Sequence, residues 1–207
     1  MNRTTSRLAV LSLTATLAAG LFGCGGDAVD SEEQARAAYL GLDSSIEKSL
    51  ALGFAGFNAA SSANIPAQSA PGELAGTLTI TGQVDQGSSA NKGMRLRVGM
   101  VDYTDGLVTL EEGGDAVEIT YDTNTDVTQQ PALDLSLRDI PSGTFTGTLV
   151  GTFLMRGDLE GDVTLDLSMT GVIEDDGTGK VRRKAGTTTV TGTATAGDDT
   201  FDVNVTL

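Results

Sequence analysis

The residues best spaced for chemistry in this chain are oxygen donors. Asp122-Thr123-Asn124-Thr125-Asp126 reads D-x-N-x-D. Alternating carboxylate and amide oxygens of this kind can converge on calcium, a hard cation that prefers oxygen ligands. The continuation departs from a full calcium loop. Val127 stands where a sharp-turn glycine belongs, Leu133 occupies the place of a bidentate glutamate, and Asp134 comes one residue late. Asp122, Asn124 and Asp126 therefore read either as a low-affinity calcium site or as a polar loop whose Asp and Asn stabilise turns. Ser45-Ile46-Glu47-Lys48 spells S-x-x-K, a spacing that lets lysine assist a serine nucleophile, but neither S-D-N nor K-T-G follows it. A solvated helix face accounts for it. Asp158, Glu160, Asp162 and Asp166 share a two-residue rhythm that sets them on one face of a strand. Paired carboxylates can hydrolyse glycosides; here a solvated edge, or partners for cations on a neighbouring strand, is the simpler reading. The chain has no histidine and one cysteine, which excludes Ser-His-Asp and Cys-His catalysis and ordinary zinc sites. It also has no glycine-rich phosphate loop. The expectation is a protein without a resident cofactor and without enzymatic activity.

That single thiol, Cys24, closes a distinctive N-terminal segment. Met1 to Arg7 carries two arginines and no acid, and an apolar stretch from Leu8 to Gly20 follows. The stretch is rich in Ser and Thr and falls short of the ~20 apolar residues that a membrane span needs. A positive start, a short apolar middle and small residues at the end describe a secretory signal. It ends Leu21-Phe22-Gly23-Cys24. This resembles the lipobox of bacterial lipoproteins, in which leucine stands three places before an invariant cysteine and a small residue directly before it. Phe22 departs from the small residue usual between them. The resemblance covers residues 1–24 and implies cleavage after Gly23, acylation of Cys24 by palmitate-like chains, and a membrane anchored through that residue. In that family an aspartate after the cysteine marks retention at the inner membrane. Gly25 is not aspartate, which in a cell with two membranes points to the outer one. A buried structural thiol and an uncleaved membrane anchor are the competing readings of this segment.

Removing residues 1–23 takes the formal net charge from −15 to −17. Such a surface repels nucleic acid and anionic headgroups and keeps an exported protein soluble. Tryptophan is absent and aromatics make up 4% of residues, so the exposed aromatic platforms of sugar-binding surfaces are not expected.

These features are carried by two kinds of element. Residues 24–30 read as a tether. Ser31 offers an N-cap with Gln34 three residues on, and acids fill the first turn. Ala35, Tyr39, Leu42, Ile46, Leu50, Phe54 and Phe57 then recur at steps of three and four, which predicts an amphipathic helix over 31–57 with a weak point near Gly53. The helix can pack on its own domain or lie on the membrane beside the anchor. Residues 58–72, rich in Ala and Ser and holding Pro66 and Pro71, read as a linker. From Glu73 to Leu207 apolar residues and glycines alternate with threonine. Strands are predicted at Leu74–Val84, Met94–Met100, Leu107–Leu110, Val117–Tyr121, Leu133–Leu137, Phe145–Met155, Leu159–Ile173, Gly186–Ala194 and Phe201–Leu207.

Three hairpins suggest their own registers. A loop at Arg156-Gly157-Asp158 would set Phe153 opposite Gly161 and Phe145 opposite Met169. An Asp176-Gly177 turn would set Val163 opposite Val190. A Gly197-Asp198 turn would set Phe201 opposite Ala194 and Val203 opposite Gly192. Glycines on the inner face favour strong curvature. The expected fold is mainly β: an antiparallel meander forming a small barrel or half-barrel, with the helix over an open end or concave face. A β-sandwich is the alternative. The basic run Lys180, Arg182, Arg183 and Lys184 is expected to balance the acids at Glu174, Asp175 and Asp176 locally. The expected function is that of a non-enzymatic structural or interaction module in the cell envelope, with a protein partner. The alternative is a carrier of lipid or another apolar ligand inside the barrel.

Overall fold

Ser31 starts the helix as its sequence suggests: its side chain accepts the Gln34 amide, while Gln34 reaches back to the Asp30 N–H at 2.8 Å. In the computed structural model, which describes residues 27–109 and 116–207, this helix α1 spans Glu32–Ala59. It runs through Gly53 without interruption. Gly53 faces Leu96 too closely to admit a Cβ without displacing it. Packing thus overrides the helix-weakening cost of glycine, about 1 kcal/mol in isolation. The apolar stripe is buried, with Tyr39, Leu42 and Leu50 wholly inaccessible and Phe54 at 3%. The helix therefore packs on its own domain.

The rest is mainly β, in an antiparallel sheet that curls around α1. Its strands are β1 (Asp27–Ala28), β2 (Gln68–Pro71), β3 (Ala75–Val84), β4 (Lys92–Thr104), β5 (Leu107–Thr109) and β6 (Ala116–Asp122). They continue with β7 (Ala132–Arg138), β8 (Gly143–Gly157), β9 (Leu159–Asp175), β10 (Val181–Arg183), β11 (Thr189–Ala196) and β12 (Asp199–Thr206). The order across the sheet is β12-β11-β9-β8-β6-β4-β3-β2. Strand β7 shares the lane of β6: β7 pairs with the first half of β4, while β6 meets β4 at Tyr103↔Tyr121. The two lie end to end between β4 and β8, joined by a 3₁₀ turn at Val127–Gln129.

The ring stays incomplete. β2 and β12 form its two edges, and α1 occupies the space between and beneath them. A half-barrel wound on a helix is thus the observed form of the expected barrel or half-barrel. Inner faces carry Ile80, Met94, Leu96, Leu133, Leu149, Leu165 and Leu167, each at 2% exposure or less, while threonine dominates the outer faces. Burying one such side chain contributes roughly 1.5–3 kcal/mol. Phe54 meets Phe145 edge-on at 5.9 Å, and Tyr39 meets Phe201 at 5.7 Å, so aromatic pairs lock the two ends of the helix to different strands. At the β2 edge, Pro71 supplies no N–H to a further strand.

Several expectations need correction. The last hairpin has the predicted register, Phe201↔Ala194 and Val203↔Gly192. The β8–β9 hairpin is shifted by two residues, pairing Phe153 with Val163 and Phe145 with Gly171. A shift of two keeps every side chain on its face, so alternation alone does not distinguish the registers. Asp176-Gly177 does not join β9 to β11. It leads into the short β10, which folds back on β9 as Val181↔Asp175, and β11 then pairs as Val190↔Met169. The tether includes β1, which runs parallel to the start of β9 as Asp27↔Leu159. The linker includes β2, paired with β3 as Gln68↔Ile80.

Candidate functional site

Cys24 lies outside the described residues. The calcium candidate is described, and its oxygens have separate partners. Asp122 accepts the Asp102 N–H at 2.9 Å through one oxygen and pairs with Arg156 through the other. Asn124 accepts the Asp126 N–H at 2.8 Å, and Asp126 accepts both the amide and the hydroxyl of Thr128. Those bonds hold the Asp126 carboxyl below its ordinary pKa. Asn124 and Asp126 thus build the loop between β6 and β7 by turning onto nearby backbone, while Asp122 ties the end of β6 to β4 and β8. Among the described residues no group of three or more His, Cys, Asp or Glu is arranged to hold a metal.

The two ends of the S-x-x-K spacing also part company. Ser45 donates back to the Leu42 carbonyl at 2.6 Å. Lys48 reaches the turn between β4 and β5, where its Nζ lies 2.7 Å from Asp105 and 3.0 Å from Glu73. Asp105 gathers further donors: the Tyr103 hydroxyl at 2.6 Å, the Glu73 N–H at 2.9 Å, and Ser44. Burial opposes the charge on Lys48, yet its hydrogen bonds to Asp105, Glu73 and Tyr103 prevail and raise its pKa. Burial likewise opposes ionisation of Asp105, and bonds from Lys48, Ser44 and Tyr103 prevail and lower it. Burial and the neighbouring Asp105 push the Tyr103 phenol up. A lysine held this firmly protonated offers no free amine at neutral pH, and the phenol offers no phenolate. The cluster fastens the middle of α1 to the sheet. Nothing in the spacing of Ser44, Tyr103 and Asp105 announces it beforehand; the aspartate-glycine pair at 105–106 signals only a turn.

Of the four acids expected on one strand face, Asp158 instead sits in the turn between β8 and β9, where it accepts the Glu118 N–H at 2.8 Å and closes the β6–β8 edge. Glu160, Asp162 and Asp166 point outward and are exposed. The basic run divides. Arg182 pairs locally with Glu174 at 2.8 Å, as expected. Arg183 instead crosses to Glu47 on α1, and only 8% of its side chain is exposed.

Beside Arg183 the structure forms a concavity that the sequence does not announce. Asn58, at the end of α1, grips β10 from both sides: its amide donates to the Val181 carbonyl at 2.7 Å, and its oxygen accepts the Val181 N–H at 3.0 Å. Between helix and strand lies a cleft of about 300 Å³, floored by Ala51, Phe54 and Ala55 and walled by Val181, Arg182 and Arg183. Its apolar floor is ringed by charges of both signs, Glu47, Asp176, Arg182 and Arg183, and its volume is at the lower end of ligand-pocket size. It opens on the seam, where α1 is uncovered between the edges of the ring.

An incomplete antiparallel barrel with a helical core and a seam cleft is the class these features define. No protein-family model, no curated protein and no solved structure matches the chain.

Proposed function

We propose that this protein is a lipoprotein of the cell envelope, anchored through acylated Cys24, whose β domain serves as a non-enzymatic structural or interaction module. The anchor reading rests on the signal-like residues 1–24. The module reading rests chiefly on the interior: the trough of the half-barrel is filled by the Tyr39, Leu42, Ile46, Leu50 and Phe54 side chains of α1. A filled trough suits a rigid scaffold that presents its surface to a protein partner. The outer membrane is the proposed location in a cell with two membranes, since Gly25 is not aspartate. Metabolic labelling with a fatty-acid analogue tests the anchor. The wild-type chain should take up label and the C24A chain should not; equal labelling would overturn the reading.

A second reading, a carrier of lipid or another apolar ligand, draws on the open seam between β2 and β12. It requires α1 to yield its place to the ligand. Native mass spectrometry of the purified domain separates the two, because a carrier retains lipid and a packed module does not.

A further inference from the structure

We infer that the β12 edge of the seam pairs with the same edge of a second copy of this chain, antiparallel, about a two-fold axis at Val203. This names a partner for the interaction module proposed above and rests on that reading. The Thr188 N–H donates to the Leu207 carbonyl at 3.2 Å, and the Leu207 N–H returns to the Thr188 carbonyl at 2.8 Å. From there the β11–β12 register runs unbroken to Ala196↔Asp199. In an antiparallel pair, alternate residues turn both backbone groups toward the neighbouring strand. Val205, Val203 and Phe201 therefore bond β11, while Thr206, Asn204, Asp202 and Thr200 aim their N–H and C=O out of the sheet. Among the described residues nothing bonds these outward groups. Their side chains are exposed on the outer face.

The two edges of the half-barrel differ. Strand β2 has four residues, follows Pro66 and ends on Pro71. Strand β12 has eight, with none of the proline, lysine or bulge that blunts an exposed edge. Its sequence also reads nearly alike in both directions from Val203: Thr200-Phe201-Asp202-Val203-Asn204-Val205-Thr206. An axis at Val203 sets Thr200 opposite Thr206 of the partner subunit and Phe201 opposite Val205 of the partner subunit, pairings that favour strand association. Asp202 meets Asn204 of the partner subunit, a carboxylate facing an amide. Every outward N–H and C=O from Thr200 to Thr206 then has a partner. An axis at Asp202 would set that carboxylate against its own copy, and an axis at Asn204 would leave Thr200 unpaired. On the concave side, the half-buried Phe201 and Val205 gain cover. One surface meeting itself closes at two copies. Both copies are acidic, so added salt should strengthen the pairing by screening their repulsion.

Thr200 and Thr206 lie about 20 Å apart along one strand. Across the axis, each faces the other at about 5.5 Å between Cα atoms, a span that a disulfide bridges. Cysteine variants of the full-length protein in non-ionic detergent are oxidised with copper–phenanthroline and compared with wild type, whose one cysteine is Cys24. T200C/T206C should form covalent dimers about tenfold faster than T200C or T206C alone. Equal rates in the double and single variants would overturn the pairing. N204P removes an outward N–H without touching a bond to β11, as edge strands tolerate. Added to T200C/T206C, it should return cross-linking to the single-variant rate; an unchanged rate would also overturn the pairing. Native mass spectra of the same preparation keep the two readings apart. Retained lipid would overturn the module reading and the pairing's role with it, whereas lipid-free chains that do not cross-link would overturn the pairing alone.

Discussion

Lys48 Nζ lies 2.7 Å from Asp105 Oδ1, and this pair ties the middle of α1 to the turn between β4 and β5. Both side chains are largely covered, at 22% and 13% exposure. A half-buried pair of this kind resists the loss of one partner more than a surface pair does, since the remaining charge keeps its desolvation cost. D105N should therefore destabilise the fold by roughly 1–3 kcal/mol at pH 7, a fall in Tm of several degrees. Because folding lowers the Asp105 pKa, its contribution is complete above the ordinary carboxylate range, about pH 4, and is lost as pH falls through the lower folded value. The gap between wild type and D105N in denaturant midpoint should close as pH drops toward 2. A gap that stays constant would contradict this.

Gly41 lies directly beneath Tyr121, whose hydroxyl donates to the Ala38 carbonyl at 2.8 Å. In an open helix, alanine in place of glycine would add up to about 1 kcal/mol. Here the new methyl runs into the phenol, so G41A should destabilise by about 1–3 kcal/mol. Y121F removes the hydroxyl that the methyl strikes first. G41A should therefore cost less in the Y121F background, with a coupling of about 0.5–2 kcal/mol in a double-mutant cycle of urea midpoints.

The Asn58 clamp predicts a local effect. N58A should leave the bulk of the sheet intact while freeing β10, because both bonds to Val181 disappear together. Amide hydrogen exchange at Val181 should speed up tenfold or more, as expected from losing about 1.4 kcal/mol of local protection. Exchange within β8 should not change. Uniform acceleration across β8 and β9 would mean that Asn58 supports the whole fold.

Calcium provides a further check on the β6–β7 loop. The oxygens of Asp122, Asn124 and Asp126 are engaged by Arg156, Asp102 and the loop backbone. Calorimetric titration to millimolar calcium should release no heat. A saturable heat abolished by N124A would show that the loop rearranges to hold the ion.

Much of the architecture is legible without coordinates because it is written in short-range periods. The three-and-four spacing from Ala35 to Phe57 places α1 and its buried face, and Ser31 with Gln34 places its start. Alternation of apolar residues or glycine with threonine identifies the strands and their inner sides. The Gly197-Asp198 turn is short enough that local geometry alone sets the β11–β12 register. The lone cysteine and missing histidine narrow the chemistry before any fold is considered.

Tertiary structure decides what depends on a distant partner. The two registers of β8 and β9 that differ by two residues share the same faces; the observed one seats Phe145 opposite Gly171, with Phe54 of α1 against its ring. Strand β10, paired to β9 on one side, is clamped at Val181 by Asn58, far back in the chain. Lys48 finds Asp105 and Arg183 finds Glu47 across separations that no local pattern encodes. The cleft beside Arg183 arises from those same crossings. Short-range chemistry settles which face a residue presents, while the choice of what it meets there belongs to the packing of the whole chain.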